Sequence, residues 1–144
     1  MSTSDETGRN GTGAAGEVRN PTVWPCLFYR DAPAAIRFLT EAFGFVERAR
    51  YGSGEVVEHA ELVWPDGSGG VMLGSVRTGS EFAQAAGTAV VYVVTTEPDL
   101  LFARAVAAGA AVVRDLADTD YGSRDFTVRD PEGNRWSFGT YRGA

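Results

Sequence analysis

His59 and Glu61, in the stretch "EHAEL", are the residues best placed for general acid/base chemistry. On an extended segment, positions i and i+2 share a face, so this spacing sets an imidazole beside a carboxylate. His59 is the only histidine of the chain, and imidazole is the side chain whose ordinary titration falls near neutral pH. The same two residues also fit a solvated face of a half-exposed strand. A second set is suited to binding. Trp24, Phe28 and Met72 offer flat or polarizable apolar surface. Tyr121 and Tyr141 add rings with a polar tip, Ser137 adds a hydroxyl, and Arg129 offers a cation to an acidic ligand group. Cys26 alternates with Trp24 and Phe28, where a lone cysteine fits packing better than nucleophilic attack.

The totals remove several kinds of chemistry. All 13 residues of the Lys+Arg count are arginine, so no Schiff-base or P-loop lysine exists. One cysteine excludes an internal disulfide, and no Cys/His spacing matches a zinc site. A net charge of −6 argues against a nucleic-acid partner. No apolar run reaches the roughly 20 residues of a membrane span. A cytoplasmic protein with a small-molecule partner, no nucleic acid and no membrane is the expectation.

The elements that must position these residues recur. Pro33 and Pro98, Gly44 and Gly109, and Asp31 and Thr96 all stand 65 residues apart (98 − 33, 109 − 44, 96 − 31). Each trio reads as an N-cap, an early helical proline and a terminating glycine. Thr96 and Asp99 also have capping-box spacing. Two β-α-β-β-β units are therefore predicted. The first has a strand over Val23–Arg30, a helix over Ala32–Phe43, and strands over Phe45–Tyr51, Val56–Trp64 and Gly70–Val76. The second has a strand over Thr88–Thr95, a helix over Glu97–Ala108, and strands over Ala111–Asp115, Asp125–Arg129 and Arg135–Tyr141. Residues 1–19, rich in Gly, Ser, Thr and charge, are expected to be a disordered tail. The domain then covers 20–144, with unit one at about 22–78, a linker at 79–87 and unit two at about 88–141. Alternation puts Ala60, Leu62 and Trp64, and Phe126 and Val128, beneath the helices. His59 and Glu61, and Asp125, Thr127 and Arg129, then face a cleft or solvent.

With "RDAPAAIRFLTEAFGF", "HAEL", "ARAVAAGA" and above all "YGSRDFTVRDPEGNRWSFGTY" on the page, the chain resembles the vicinal oxygen chelate superfamily over about Pro21 to Tyr141. That group includes glyoxalase I, bleomycin-resistance proteins and extradiol dioxygenases. The resemblance implies an α+β fold, two tandem βαβββ units forming a U-shaped sheet around a cleft with helices on the outer face, in a homodimer. It also implies a divalent metal held from the first and last strands of each unit. The matching positions here are Trp24, Met72, Ala89 or Val90, and Ser137, which are not the ligands of a hard divalent ion. Neither a metal site nor a cofactor is expected. The reading is a metal-independent small-molecule-binding protein that sequesters an aromatic or antibiotic-like ligand. The alternatives are a lyase, isomerase or dioxygenase with a displaced metal site using His59 and Glu61, and a dimeric module without a ligand.

Overall fold

The computed structural model describes residues 21–79, 81 and 83–144. The expected tail at 1–19 lies outside the described residues, as do positions 80 and 82 of the expected linker. Unit one is β1 (Cys26–Tyr29), α1 (Ala32–Phe38), β2 (Val46–Ser53), β3 (Val56–Val63) and β4 (Gly70–Ser75). Unit two is β5 (Val90–Val94), α2 (Pro98–Ala107), β6 (Ala111–Asp118), β7 (Arg124–Arg129) and β8 (Arg135–Gly139). Each unit forms a four-stranded mixed sheet, in the orders β1-β4-β3-β2 and β5-β8-β7-β6. The first strand of each unit runs parallel to the last, and the other pairs are antiparallel.

Strand alternation decides which face is buried. Ala60, Leu62, Phe126 and Val128 have no exposed surface and Trp64 is buried, as the pattern predicted. These side chains join Ile36, Leu39 and Phe43 from the first helical segment and Leu101 and Ala105 from α2 in one core. Aromatic rings stitch the units together there: Phe43 lies 4.7 Å from Phe138 and 5.4 Å from Trp136, between ring centroids. The face of each sheet turned away from this core is called its open face below.

Both helices end on a left-handed glycine, Gly44 at φ 88° and Gly109 at φ 99°, a conformation that a β-carbon disfavours. Asp31 caps α1, its carboxylate accepting from the Ala34 N–H at 3.1 Å. Several expectations are corrected. The first helix is α-helical only to Phe38 and closes with a π-helical turn over Leu39–Phe43. Arg104 of α2 donates to the Thr40 and Glu41 carbonyls at that turn. The second N-cap is Glu97, not Thr96. The Thr95 hydroxyl accepts from the Glu97 N–H, and Asp99 pairs with Arg124 instead of completing a capping box. β1 starts at Cys26, since Pro25 lacks an N–H and Trp24 turns back to donate its indole N–H to the Pro21 carbonyl at 3.2 Å. At the other end, β8 stops at Gly139, leaving Tyr141 beyond the strand.

The "RDPEGNRW" segment builds a lock between the units. The Asp130 carboxylate is 4% exposed. One oxygen accepts from the Tyr29 hydroxyl at 2.7 Å, the Asn134 amide at 3.0 Å and the Trp136 indole at 3.1 Å. The other accepts from the backbone N–H groups of Glu132 and Asn134. The Glu132 carboxylate in turn accepts from the Arg30 and Asp31 N–H groups, at 2.7 and 2.8 Å. Burial, followed by the Asp130 charge, pushes the Tyr29 phenol far above its ordinary range.

Candidate functional site

The open face of the first sheet gathers five of the residues singled out in the sequence. Met72 on β4 stands beside Cys26 on one side and Glu61 on the other. One step along, Gly74 lies beside Phe28. Having no side chain, Gly74 leaves the floor low, and Cys26, Phe28, Glu58, His59, Met72 and Arg77 line a pocket of about 100 Å³. Trp24 packs beside it: a β-carbon at Gly70 would come within 2.9 Å of the indole ring.

Charge on this face is organised around Glu61. One carboxylate oxygen meets His59 Nε2 at 3.0 Å, and the other accepts from Arg48 at 3.0 and 3.2 Å. The His59 hydrogen bond first, and the Arg48 guanidinium second, hold the Glu61 carboxyl below the usual carboxylate range. Tyr51 stacks on the His59 ring at 6.2 Å, with 22° between planes. Arg48 reaches the site through a β-bulge. Glu47 opposes Leu62 and Ala49 opposes Glu61, so Arg48 is the extra residue between them. A bulge re-aims a side chain, and here the guanidinium stands 5.5 Å from the centre of the Trp24 ring. The sequence reading missed Arg48, Tyr51 and Arg77. A bulge has no local sequence signature, and an exposed arginine on an edge strand looks like ordinary surface.

The remaining candidates lie in the second unit, Ser137 and Arg129 on its sheet and Tyr121 and Tyr141 in segments flanking its strands. Ser137 sits between Thr127 and Tyr92, and the Ser137 and Thr127 hydroxyls are 2.7 Å apart. Arg129 is exposed at the end of β7, opposite Arg135. Asp125, expected toward the cleft or solvent, is buried at 5% exposure and accepts from Arg114 at 2.6 Å. Tyr121 and Tyr141 meet edge to face, with centroids 5.8 Å apart. Tyr92, another residue the sequence reading missed, donates its hydroxyl to the Tyr141 carbonyl at 2.7 Å; burial raises its phenol above the ordinary range. One polar-tipped ring within the apolar run "VVYVV" was the available signal.

The positions that would supply metal ligands do not fit a divalent ion. Trp24 and Met72 offer an indole already engaged with a carbonyl and a thioether, neither Ala89 nor Val90 has a donor side chain, and the Ser137 hydroxyl is engaged with Thr127. By register, the neighbours of Met72 and Ser137 on the first strands are Cys26 and Tyr92, two residues beyond Trp24 and Val90. Among the described residues, no three His, Cys, Asp or Glu side chains come together as a metal-binding group. What the first sheet does offer is an aromatic and thioether wall next to a carboxylate-oriented imidazole.

Comparison with known proteins gives a consistent result. Residues 21–138 match the family described as Glyoxalase/Bleomycin resistance protein/Dioxygenase superfamily. Rv0887c of Mycobacterium tuberculosis is 34% identical over 132 residues, covering 83% of this chain and 74% of that protein. The crystal structure of TioX from Micromonospora sp. ML1 is similar with a TM-score of 0.66 and 32% identity, covering 81% of this chain and 97% of that one. TnmS3, an antibiotic binding protein from Streptomyces sp. CB03234, shares the fold with a TM-score of 0.61 and 20% identity, covering 78% of this chain and 88% of its own.

Proposed function

The chain belongs to the Glyoxalase/Bleomycin resistance protein/Dioxygenase superfamily, and on that premise we propose that it binds a flat, mostly apolar small molecule without a metal. The observation that carries this reading is the open face of the first sheet. Trp24, Phe28 and Met72 line that face, and they provide stacking and dispersion rather than coordination. Arg48 and the Glu61–His59 pair are the polar anchors beside that wall, the usual composition of a small-molecule site. The likeness in fold to an antibiotic binding protein supports an antibiotic-like or aromatic ligand held by sequestration. The protein works as a cytoplasmic homodimer, in which the open faces find their cover.

The test is a thermal-shift and tryptophan-fluorescence screen of aromatic compounds and antibiotics, run in chelator. A ligand at about one hundred times its dissociation constant adds roughly 2.7 kcal/mol, a shift of several degrees. For a ligand on the open face, Trp24→Ala abolishes both shift and quenching, whereas Trp64→Phe, on the buried side of the sheet, keeps the shift. A library without hits, or one whose hits all bind Trp24→Ala in full, sinks this reading.

One observation favours a second reading, a lyase or isomerase. His59 is oriented by a carboxylate at 3.0 Å that is itself held by Arg48, the arrangement of an imidazole general base. Turnover that depends on an added divalent metal and disappears in His59→Gln would replace binding by catalysis.

A further inference from the structure

We propose that a cavity at the seam between the two units is a second ligand site, for a neutral apolar molecule of one or two rings. The cavity has a volume of about 370 Å³, within the range of about 300–1,000 Å³ typical of small-molecule sites. Phe45, Trp64 and Val71 of unit one and Val91 and Val93 of unit two contribute its walls, with Val23 beside them. Val71 alternates with Met72 on β4, so its side chain leaves the sheet on the side opposite Met72 and His59. The seam cavity shares no lining residue with the open-face pocket.

The ligand class follows from the lining. The walls are mostly aromatic and branched aliphatic side chains, with Ser68, Tyr92 and the glycine-rich turn adding polar groups, a composition suited to an aromatic guest. Charge is confined to Asp66 and Arg142, one of each sign, so the lining as a whole favours neither a cation nor an anion. The Trp64 indole N–H donates to the Val94 carbonyl at 3.1 Å, from one unit to the other. A guest against Trp64 therefore touches the bond that ties the units together, and this indole reports its arrival. The turn that borders the cavity, Asp66 to Gly70, is rich in glycine. At Gly69 an added β-carbon meets no heavy atom within 4 Å, so a side chain there enters open space without a clash at the backbone.

The experiment is a titration of ¹⁵N-labelled protein with 1-naphthol. It follows the indole N–H signals of Trp24, Trp64 and Trp136, assigned from single Trp→Phe variants. The expected result is a saturating shift of the Trp64 signal that persists in Trp24→Ala, with affinity reduced at least about tenfold in Gly69→Leu, since filling pocket volume discriminates on that scale. A Trp64 signal that stays still at millimolar 1-naphthol overturns the proposal, and so does equal binding by Gly69→Leu. A shift confined to Trp24 also overturns it, by assigning the probe to the open face.

Discussion

Replacing Tyr29 by Phe removes one oxygen atom from the lock between the units, and the consequence can be worked out at two pH values. The phenol is fully buried and donates to Asp130 at 2.7 Å. A hydrogen bond to a charged group contributes about 1.5–3 kcal/mol. Asp130 keeps four other donors in the variant, which places the loss toward the lower end, about 2 kcal/mol. For a chain of this length each kcal/mol moves the melting temperature by roughly 4 °C, so Tyr29→Phe melts about 8 °C lower at neutral pH.

Alkaline pH reverses the order of effects. Burial and Asp130 hold the Tyr29 proton far more tightly in the folded state than in the unfolded chain, where a phenol titrates near about 10. Below that value both states keep the proton and the contribution is complete. Above it the unfolded state binds fewer protons than the native one, and stability falls by about 1.4 kcal/mol per pH unit. The phenylalanine variant has no such proton. The gap of about 2 kcal/mol present at pH 8 therefore closes by about pH 11.5. Lysine does not blur the measurement, because every basic residue in the Lys+Arg count is arginine. Tyr92, also raised, acts equally in both proteins and cancels in the difference. Urea unfolding followed by circular dichroism from pH 8 to 11.5 measures the gap. A gap that stays constant over that range refutes the linkage between Tyr29 and Asp130.

Three further outcomes are expected. Glu61 titrates below the ordinary glutamate value of about 4.3; whatever stability its ion pairs give is present above that value and fades as pH falls through the lowered one. Carboxyl ¹³C shifts measure this, and His59→Ala and Arg48→Ala each move the midpoint back up. Deleting residues 1–19, which carry few apolar side chains, leaves the melting temperature within about 1 °C, because even 1 kcal/mol of lost packing moves it by roughly 2–8 °C. Sedimentation equilibrium at micromolar concentration gives a dimer mass, and a monomer mass there removes the homodimer from the functional reading.

The parts of the fold legible in the sequence were those set by backbone periodicity and by glycine. Alternation in "EHAELVW" separated Ala60, Leu62 and Trp64 from His59 and Glu61, because burial of one strand face is a local matter. Gly44 and Gly109 marked both helix ends, since the left-handed turn needs a residue without a β-carbon. The N-cap of α1 at Asp31 followed from the same logic. What stayed hidden depended on distant partners. Asp99 has the spacing of a capping box, yet Arg124 from β7 claims its carboxylate. Arg48 enters the site only because a residue is inserted relative to β3. Trp24 was placed inside β1, whereas Pro25 and the Pro21 carbonyl hold it in the approach to that strand. In the site, side-chain types were readable and their arrangement was not: Trp24, Phe28, His59, Glu61 and Met72 do share one face, whereas Ser137 and Arg129 belong to the other sheet and Tyr121 and Tyr141 to segments flanking its strands.

The most recognisable segment of the chain spends its polar groups on the fold. In "RDPEGNRW", Asp130, Glu132, Asn134 and Trp136 use their polar atoms on one another, on Tyr29 and on the backbone before α1 and before β5. Those bonds hold two βαβββ units in one orientation, a requirement of the fold whatever lies on the open faces. Substitution there meets a buried carboxylate with five donors, so a change in the motif costs stability. The open face of the first sheet carries no such constraint. Met72 sits between Cys26 and Glu61 with its side chain half-exposed, and exchanging it for a carboxylate would disturb no core contact. Ligand chemistry can therefore change on this surface while the lock beneath it stays fixed, which is how one fold carries unrelated sites. On this chain that surface carries Trp24 under Arg48, with Glu61 held between Arg48 and His59.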